Sequence, residues 1–285
     1  MGFASLNPLY KLMGGYGGMF DFTDMMSEHV GRFTIGFVAV EKGKGTSLGS
    51  GTLARYPRVH GIITCTHVVQ SLLRPGVEIG IVCFPTRKGQ LQMTRLDMSK
   101  TDHIIVGTYT ETEFGPDLAF LCLPESTFAA LESMASPVDA TRHRKNALAG
   151  EPDDGKNRVE LVCGVIEERS TTRTEGNMTV TTFEGLLNVG RVVNRTTANN
   201  LDLYSFQPVP GLGTTPPKSY GGTSGGGLWR VYTDPQNDGT HKLKQARMVG
   251  VAFWEKPVGD ELYITCHGQQ SVHHVLYEEV LKKWP

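Results

Sequence analysis

Three residues of the kinds that acyl transfer requires lie on or beside apolar runs. They are His67, which closes the stretch His60–Thr66, Asp117, which heads Leu118–Leu123, and Ser224, inside the glycine run Tyr220–Leu228. A serine hydroxyl is a weak nucleophile until a base takes its proton, and a histidine oriented by a carboxylate is the usual base. The glycines around Ser224 allow positive φ and close backbone approach, so N–H groups can converge beside the hydroxyl, where an oxyanion would form. A Gly/Ser run of this kind also serves as a plain flexible loop. Asp102, beside His103, competes for the carboxylate role but lacks the apolar strand that follows Asp117. His143, His241, His273 and His274 stand in polar or helical contexts and read as surface residues.

Other chemistries find little footing. The phosphate-loop pattern GxxxxGK[ST] and the zinc pattern HExxH do not occur. The five cysteines (Cys65, Cys83, Cys122, Cys163 and Cys266) form no CxxC pair and no Cys/His ligand spacing, so no metal and no other cofactor is implied. Their odd number and wide separation fit reduced thiols better than a disulfide framework. The net charge of −1 gives no electrostatic case for nucleic acid, and no run reaches the ~20 apolar residues of a membrane span. No basic-then-apolar leader opens the chain, and Leu6 stands where myristoylation needs Ser or Thr. The expected address is the cytoplasm.

The elements that must position the three residues read as strands. Thirty-four glycines and fifteen prolines mean frequent turns, hence many short strands. Strands are expected at 33–40, 48–54, 60–66 (ending at His67), 77–84, 91–96, 104–108 and 118–123. A second set is expected at 159–166, 178–183, 201–206, 228–232, 248–254 and 262–266. Between the sets, a short helix over 126–134 leads into the polar stretch 139–157. At the end, Val272, Val275, Leu276, Val280 and Leu281 keep helical spacing behind Ser271 as N-cap. The organisation is therefore an N-terminal arm (1–30), a β-barrel (31–124), a linker (125–157), a second β-barrel (158–270) and a closing helix (271–285). This all-β class rests on two antiparallel barrels. The Gly14–Gly18 region of the arm carries no readable function.

The order His67…Asp117…Ser224 is that of the chymotrypsin fold, whereas subtilisins and α/β-hydrolases use other orders. Together with Gly49-Ser50-Gly51-Thr52-Leu53, Ile62–His67, Asp117–Leu121, Gly222–Gly226 and Met248–Trp254, it makes residues 33–284 resemble the trypsin-like serine peptidases. The likeness is to their bacterial intracellular, disulfide-free kind. The resemblance implies two six-stranded barrels, and a triad with Ser224 as nucleophile, His67 as base and Asp117 as its orienter. It also implies an oxyanion hole from the N–H groups of Gly222 and Ser224, and a protein or peptide substrate. By the family's spacing Lys218 is the base of the specificity pocket, with Phe253, Trp254 and Glu255 along its wall. Lys218 at the base would favour an acidic side chain at P1, on the acyl side of the scissile bond. Against that, Glu255 would neutralise or block it, Pro216-Pro217 would shift the loop, or Lys218 would simply be solvated. Thr223 replaces the aspartate that receives a new N-terminus in secreted zymogens, and Val68 replaces a disulfide cysteine. Control would then come from a regulatory protein partner, a loop or the arm. A catalytically silent binding module on the same fold, and an esterase or acyl transferase using the same triad, are the alternatives.

Overall fold

In the computed structural model, residues 25–285 are described apart from 27–28, 42–43, 85–92, 151–156, 176–177, 210–216 and 238–240. The glycine-rich part of the arm and Pro216 lie outside the described residues.

Two antiparallel sheets make up the body. The first comprises β1 (Thr34–Glu41), β2 (Lys44–Arg55), β3 (His60–Thr64), β4 (Glu78–Cys83), β5 (Met93–Leu96), β6 (Asp102–Ile105) and β7 (Ala119–Cys122). Its order is β5-β4-β1-β2-β3-β7-β6, and the two-residue β8 (Val138–Asp139) adds in parallel to β2. The second comprises β9 (Arg158–Glu175), β10 (Met178–Ala198), β11 (Leu201–Pro208), β12 (Gly227–Pro235), β13 (His241–Val258) and β14 (Glu261–His267). It closes as a six-stranded barrel in the order β10-β11-β14-β13-β12-β9. This is the expected all-β, two-sheet class with a helix at the C-terminus. The first sheet, however, has seven strands on its path and ends at β5 and β6 without closing among the described residues.

Among the described residues, helices that accompany the sheets are α1 (Thr66–Leu72), α2 (Glu125–Glu132), α3 (Ala140–Leu148) and α4 (Tyr277–Lys283). His67 thus does not end a strand. It sits in the first turn of α1, because Cys65 is extended at the N-cap and the chain coils from Thr66 onward. The linker holds two helices instead of one, the second opened by Asp139, whose carboxylate accepts the Arg142 N–H at 2.9 Å. Ser271 is not an N-cap. It lies inside a π-helical stretch, Ser271–Leu276, that runs into α4, and Asp202 accepts the N–H groups of Gln270 and Ser271 at 3.1 and 2.7 Å.

One apolar cluster spans both sheets, including Ile35 and Phe37 of β1 and Trp229 and Val231 of β12, with Phe33 stacked on Trp229 at 5.0 Å. Burying that shared surface, at roughly 25 cal/mol per Å² of apolar area, holds the sheets together. Two histidines assigned above to the surface belong to this interior. His143 accepts the Met248 N–H at 3.1 Å, and His273 donates to the Met248 carbonyl at 2.7 Å. Burial pushes His143 down to about 3 and lowers His273.

Candidate active site

His67 follows β3 and Asp117 precedes β7, and because those strands are antiparallel neighbours, with Thr64 opposite Ala119, the two residues meet at one end of the pair. The Asp117 carboxylate accepts the His67 backbone N–H through Oδ1 at 3.1 Å, and its Oδ2 lies 2.5 Å from His67 Nδ1. A carboxylate only accepts, so Nδ1 carries the proton and Nε2 keeps its lone pair free for a substrate or nucleophile proton. Asp117 is 2% exposed. Its rival Asp102 is exposed and bonded to Lys283 at 2.6 Å, away from His67.

A second histidine, unassigned from the sequence, supports Asp117 from below. The Asp117 N–H donates to Nε2 of His267 at 3.1 Å, and the ring stacks on Phe253 at 4.4 Å. The other nitrogen, Nδ1, is buried without a partner among the described residues. Burial pushes His267 down to about 4, against the opposing pull of Asp117 and Asp202, so the ring stays neutral and its Nε2 stays an acceptor. The available signal was a histidine closing an apolar strand, the same pattern that draws attention to His67.

Cys65 is close by, its Sγ within 4.8 Å of the ligand atoms of His67 and Asp117. Burial and the charge of Asp117 push its thiol well up, and it donates to the Ala252 carbonyl at 3.1 Å. A thiol held protonated and already bonded does not suit a metal, which needs the thiolate.

Ser224 sits on the tight turn the glycines suggest. Gly222 and Gly225 have φ of 88° and 89°, and a Cβ on Gly225 would lie 2.0 Å from the Ser50 carbonyl oxygen. The turn is fixed by its carbonyls. Gly221 O accepts from Glu167 N at 2.9 Å, Thr223 O from Gly226 N at 2.8 Å and Ser224 O from Ser50 N at 2.7 Å. Because a trans peptide points its C=O and N–H in opposite directions, tying Gly221 O and Thr223 O turns the N–H groups of Gly222 and Ser224 away from those partners. Neither N–H has an acceptor among the described residues. The two donors expected of an oxyanion hole are thus unengaged.

Ser50, given no role from the sequence, holds this turn to the first sheet. It is fully buried on β2, its hydroxyl donates to Gly222 O at 2.7 Å, and it accepts the Val165 N–H of β9 at 2.8 Å. The Ser224 hydroxyl itself bonds the Phe253 carbonyl at 3.4 Å instead of His67.

A cleft of about 110 Å³ opens beside Ser224, lined by Tyr220, Phe253, Trp254 and Glu255 among others. Phe253, Trp254 and Glu255 thus share one cleft with Ser224. Lys218 is exposed and absent from the lining, its backbone N–H held by Glu168 at 2.7 Å. A larger groove of about 490 Å³ lies between Pro116, Asn200 and Val275, and none of the three reactive residues lines it.

No protein-family model and no curated protein matches the sequence. Among solved structures, the crystal structure of Rv3671c from M. tuberculosis H37Rv, a serine-to-alanine mutant in an inactive form, is similar at 14% identity and a TM-score of 0.42. The match covers 90% of each chain. The functional reading rests on the geometry of the site.

Proposed function

We propose that the protein is a serine endopeptidase that hydrolyses peptide bonds of a protein or peptide substrate through an acyl-enzyme. The observation that carries this is the pairing of His67 with buried Asp117 at 2.5 Å, beside a glycine turn that leaves two N–H groups free at Ser224. Ser224 Oγ attacks the scissile carbonyl carbon while His67 Nε2 takes the hydroxyl proton. Asp117 holds the Nδ1–H and stabilises the imidazolium. The oxyanion lies against the N–H groups of Gly222 and Ser224, an arrangement in which one donor contributes roughly 3–4 kcal/mol in other serine proteases. As the C–N bond breaks, His67 returns the proton to the leaving amine. Water, with His67 again as base, then frees the acyl group and restores Ser224.

The bond from Ser224 to the Phe253 carbonyl makes this a resting arrangement. The hydroxyl must rotate from Phe253 toward His67 before attack, and substrate or a regulatory partner supplies that shift. The same bond is the observation that favours the second reading, a silent binding module. The five free cysteines, four of them buried, suit a reducing compartment, in keeping with a cytoplasmic enzyme.

A fluorophosphonate probe decides between the readings. It should modify Ser224 in the native protein, and mass spectrometry should find no adduct in Ser224→Ala or His67→Ala. Absence of an adduct on native protein would sink the hydrolase reading. Profiling of new protein N-termini in cells expressing native protein or Ser224→Ala would then give the cleavage sites.

A further inference from the structure

Few polar bonds tie Asp117 to the rest of the molecule. Among the described residues, both bonds to its carboxylate come from His67, the side chain it orients. A carboxylate held only by the residue it steers cannot fix the direction of that ring by itself. The next residue is held within the first sheet, with Leu118 O accepting the Val106 N–H at 2.9 Å. Asp117 itself is held independently at its own N–H, which donates to His267 Nε2 at 3.1 Å. His267 lies on β14, opposite Leu203 of β11 and Val251 of β13, so this bond anchors Asp117 to the second sheet.

The same ring has a second contact. It stacks on Phe253 at 4.4 Å, and the Phe253 carbonyl accepts the resting Ser224 hydroxyl. One side chain therefore touches both Asp117 and the residue on which the nucleophile rests. Its chemistry points beyond filling space. A backbone N–H needs a bare Nε2 opposite it, so the proton of the neutral ring is on Nδ1. That nitrogen is buried and has no partner among the described residues. An orphaned buried N–H costs stability, and an apolar ring of similar shape would avoid the cost. What histidine adds here is one acceptor for the Asp117 N–H.

We infer that His267 is a positioning residue of the reaction: its Nε2 holds the Asp117 peptide, and thereby the carboxylate that orients His67, in place relative to the Ser224 turn. This rests on the hydrolase reading above. His267 touches no reacting atom and acts through Asp117 and Phe253 alone.

The test compares His267→Phe, which keeps a flat ring without an acceptor, with His267→Gln, whose Oε1 replaces Nε2 as acceptor. Both are measured on the full chain, under conditions where urea titration shows them folded. Fluorophosphonate labelling of Ser224 should slow about 10–100-fold in His267→Phe, the scale of a misplaced orienting group, and return to within about threefold of native in His267→Gln. The proton NMR signal of the His67 Nδ1–H, far downfield in a short bond to a carboxylate, should shift upfield in His267→Phe and stay in place in His267→Gln. Native labelling and an unmoved signal in His267→Phe would overturn the assignment. So would a His267→Gln protein as slow as His267→Phe, because ring shape and not the acceptor would then matter. If His267→Phe does not fold, nitrogen NMR of the native protein decides: a bare Nε2 on His267 supports the bond, and a protonated one refutes it. Native protein that is not labelled at all removes the hydrolase reading and the role of His267 in it; native protein that labels while His267→Phe labels equally fast removes His267 alone.

Discussion

Replacing Ser50 with alanine should disable the site from the opposite sheet without touching a reacting group. The hydroxyl is the donor to Gly222 O and the acceptor for Val165 N–H, at 2.7 and 2.8 Å. Both partners lose their bond in Ser50→Ala, but they do not lose equally. Val165 is buried, so its N–H bears the desolvation penalty of an orphaned donor, about 1–3 kcal/mol. Gly222 is half-exposed, so water can replace much of its bond, and the loss there is closer to the net value of about 0.5–1.5 kcal/mol. The expected destabilisation is therefore about 2–4 kcal/mol, read from urea midpoints at unchanged m-value. The functional loss has a separate cause. Gly222 O belongs to the peptide that links the two donor-bearing peptides, so without its tether the relative placement of the Gly222 and Ser224 N–H groups is no longer preorganised. One misaligned oxyanion donor costs up to about 10²–10³ in rate, so fluorophosphonate labelling of Ser224 should slow by about 10–100-fold under conditions where the variant is fully folded. A variant that loses stability yet labels at the native rate would make Ser50 a structural residue only. Unchanged stability would refute the hydrogen-bond argument itself.

Gly225→Ala should be more damaging than Ser50→Ala, because it combines a strained φ of 89° with a Cβ 2.0 Å from a backbone oxygen that cannot swing aside. A loss above about 3 kcal/mol, or failure to accumulate folded protein, is expected; a variant within about 1 kcal/mol of native would show that the turn is softer than drawn. Acid should weaken the fold through its buried histidines. His267 falls from 6.5 unfolded to about 4 folded, and His143 from 6.5 to about 3. The folded state binds fewer protons than the unfolded one between those values. The contribution is therefore whole above about pH 6.5 and is lost as pH falls toward about 4 for His267 and about 3 for His143, at about 1.4 kcal/mol per pH unit for each. Urea midpoints from pH 7 to 4 should fall steeply, and His267→Gln should make that fall shallower; a native-like slope in the variant would remove His267 from the account.

Those residues also mark how far the sequence could be read. The three reactive side chains were legible because each stands at the end of an apolar run, and a polar group at a strand end is placed where the sheet stops and solvent begins. The strand that walls the cleft, Met248–Trp254, was picked out as its wall only through the resemblance to the trypsin-like peptidases. Lys218, given as the base of the pocket only by the family's spacing, is exposed, and the Lys218 and Ser219 N–H groups are held by Glu168, a contact that spacing along the chain does not mark. The long β9–β10 hairpin was read too short, since its outer part is a threonine-rich ladder with Thr172 facing Thr181 at 3.1 Å, and exposed threonines carry no apolar alternation. The inward histidines His143 and His273 were read as surface residues because their partners are backbone groups of Met248 on a distant strand, and a backbone acceptor leaves no mark in a sequence pattern.

The same distinction explains why the site depends on the contact between the sheets. His67 and Asp117 belong to the first sheet and the Ser224 turn to the second, so no local propensity can align them. What aligns them is a short set of cross-sheet bonds: Ser50 to Gly222, Ser224 and Val165, and Asp117 to His267. Each ties a residue near His67, Asp117 or Ser224 to backbone or ring atoms of the other sheet, the Val165 and Asp117 bonds in fully buried surroundings. A shift of one sheet against the other would leave His67 paired with Asp117 and the glycine turn intact, yet change the position of Ser224 relative to His67. The cross-sheet bonds therefore fix the frame in which the hydroxyl, bonded to the Phe253 carbonyl, would turn to His67 under the proposed mechanism.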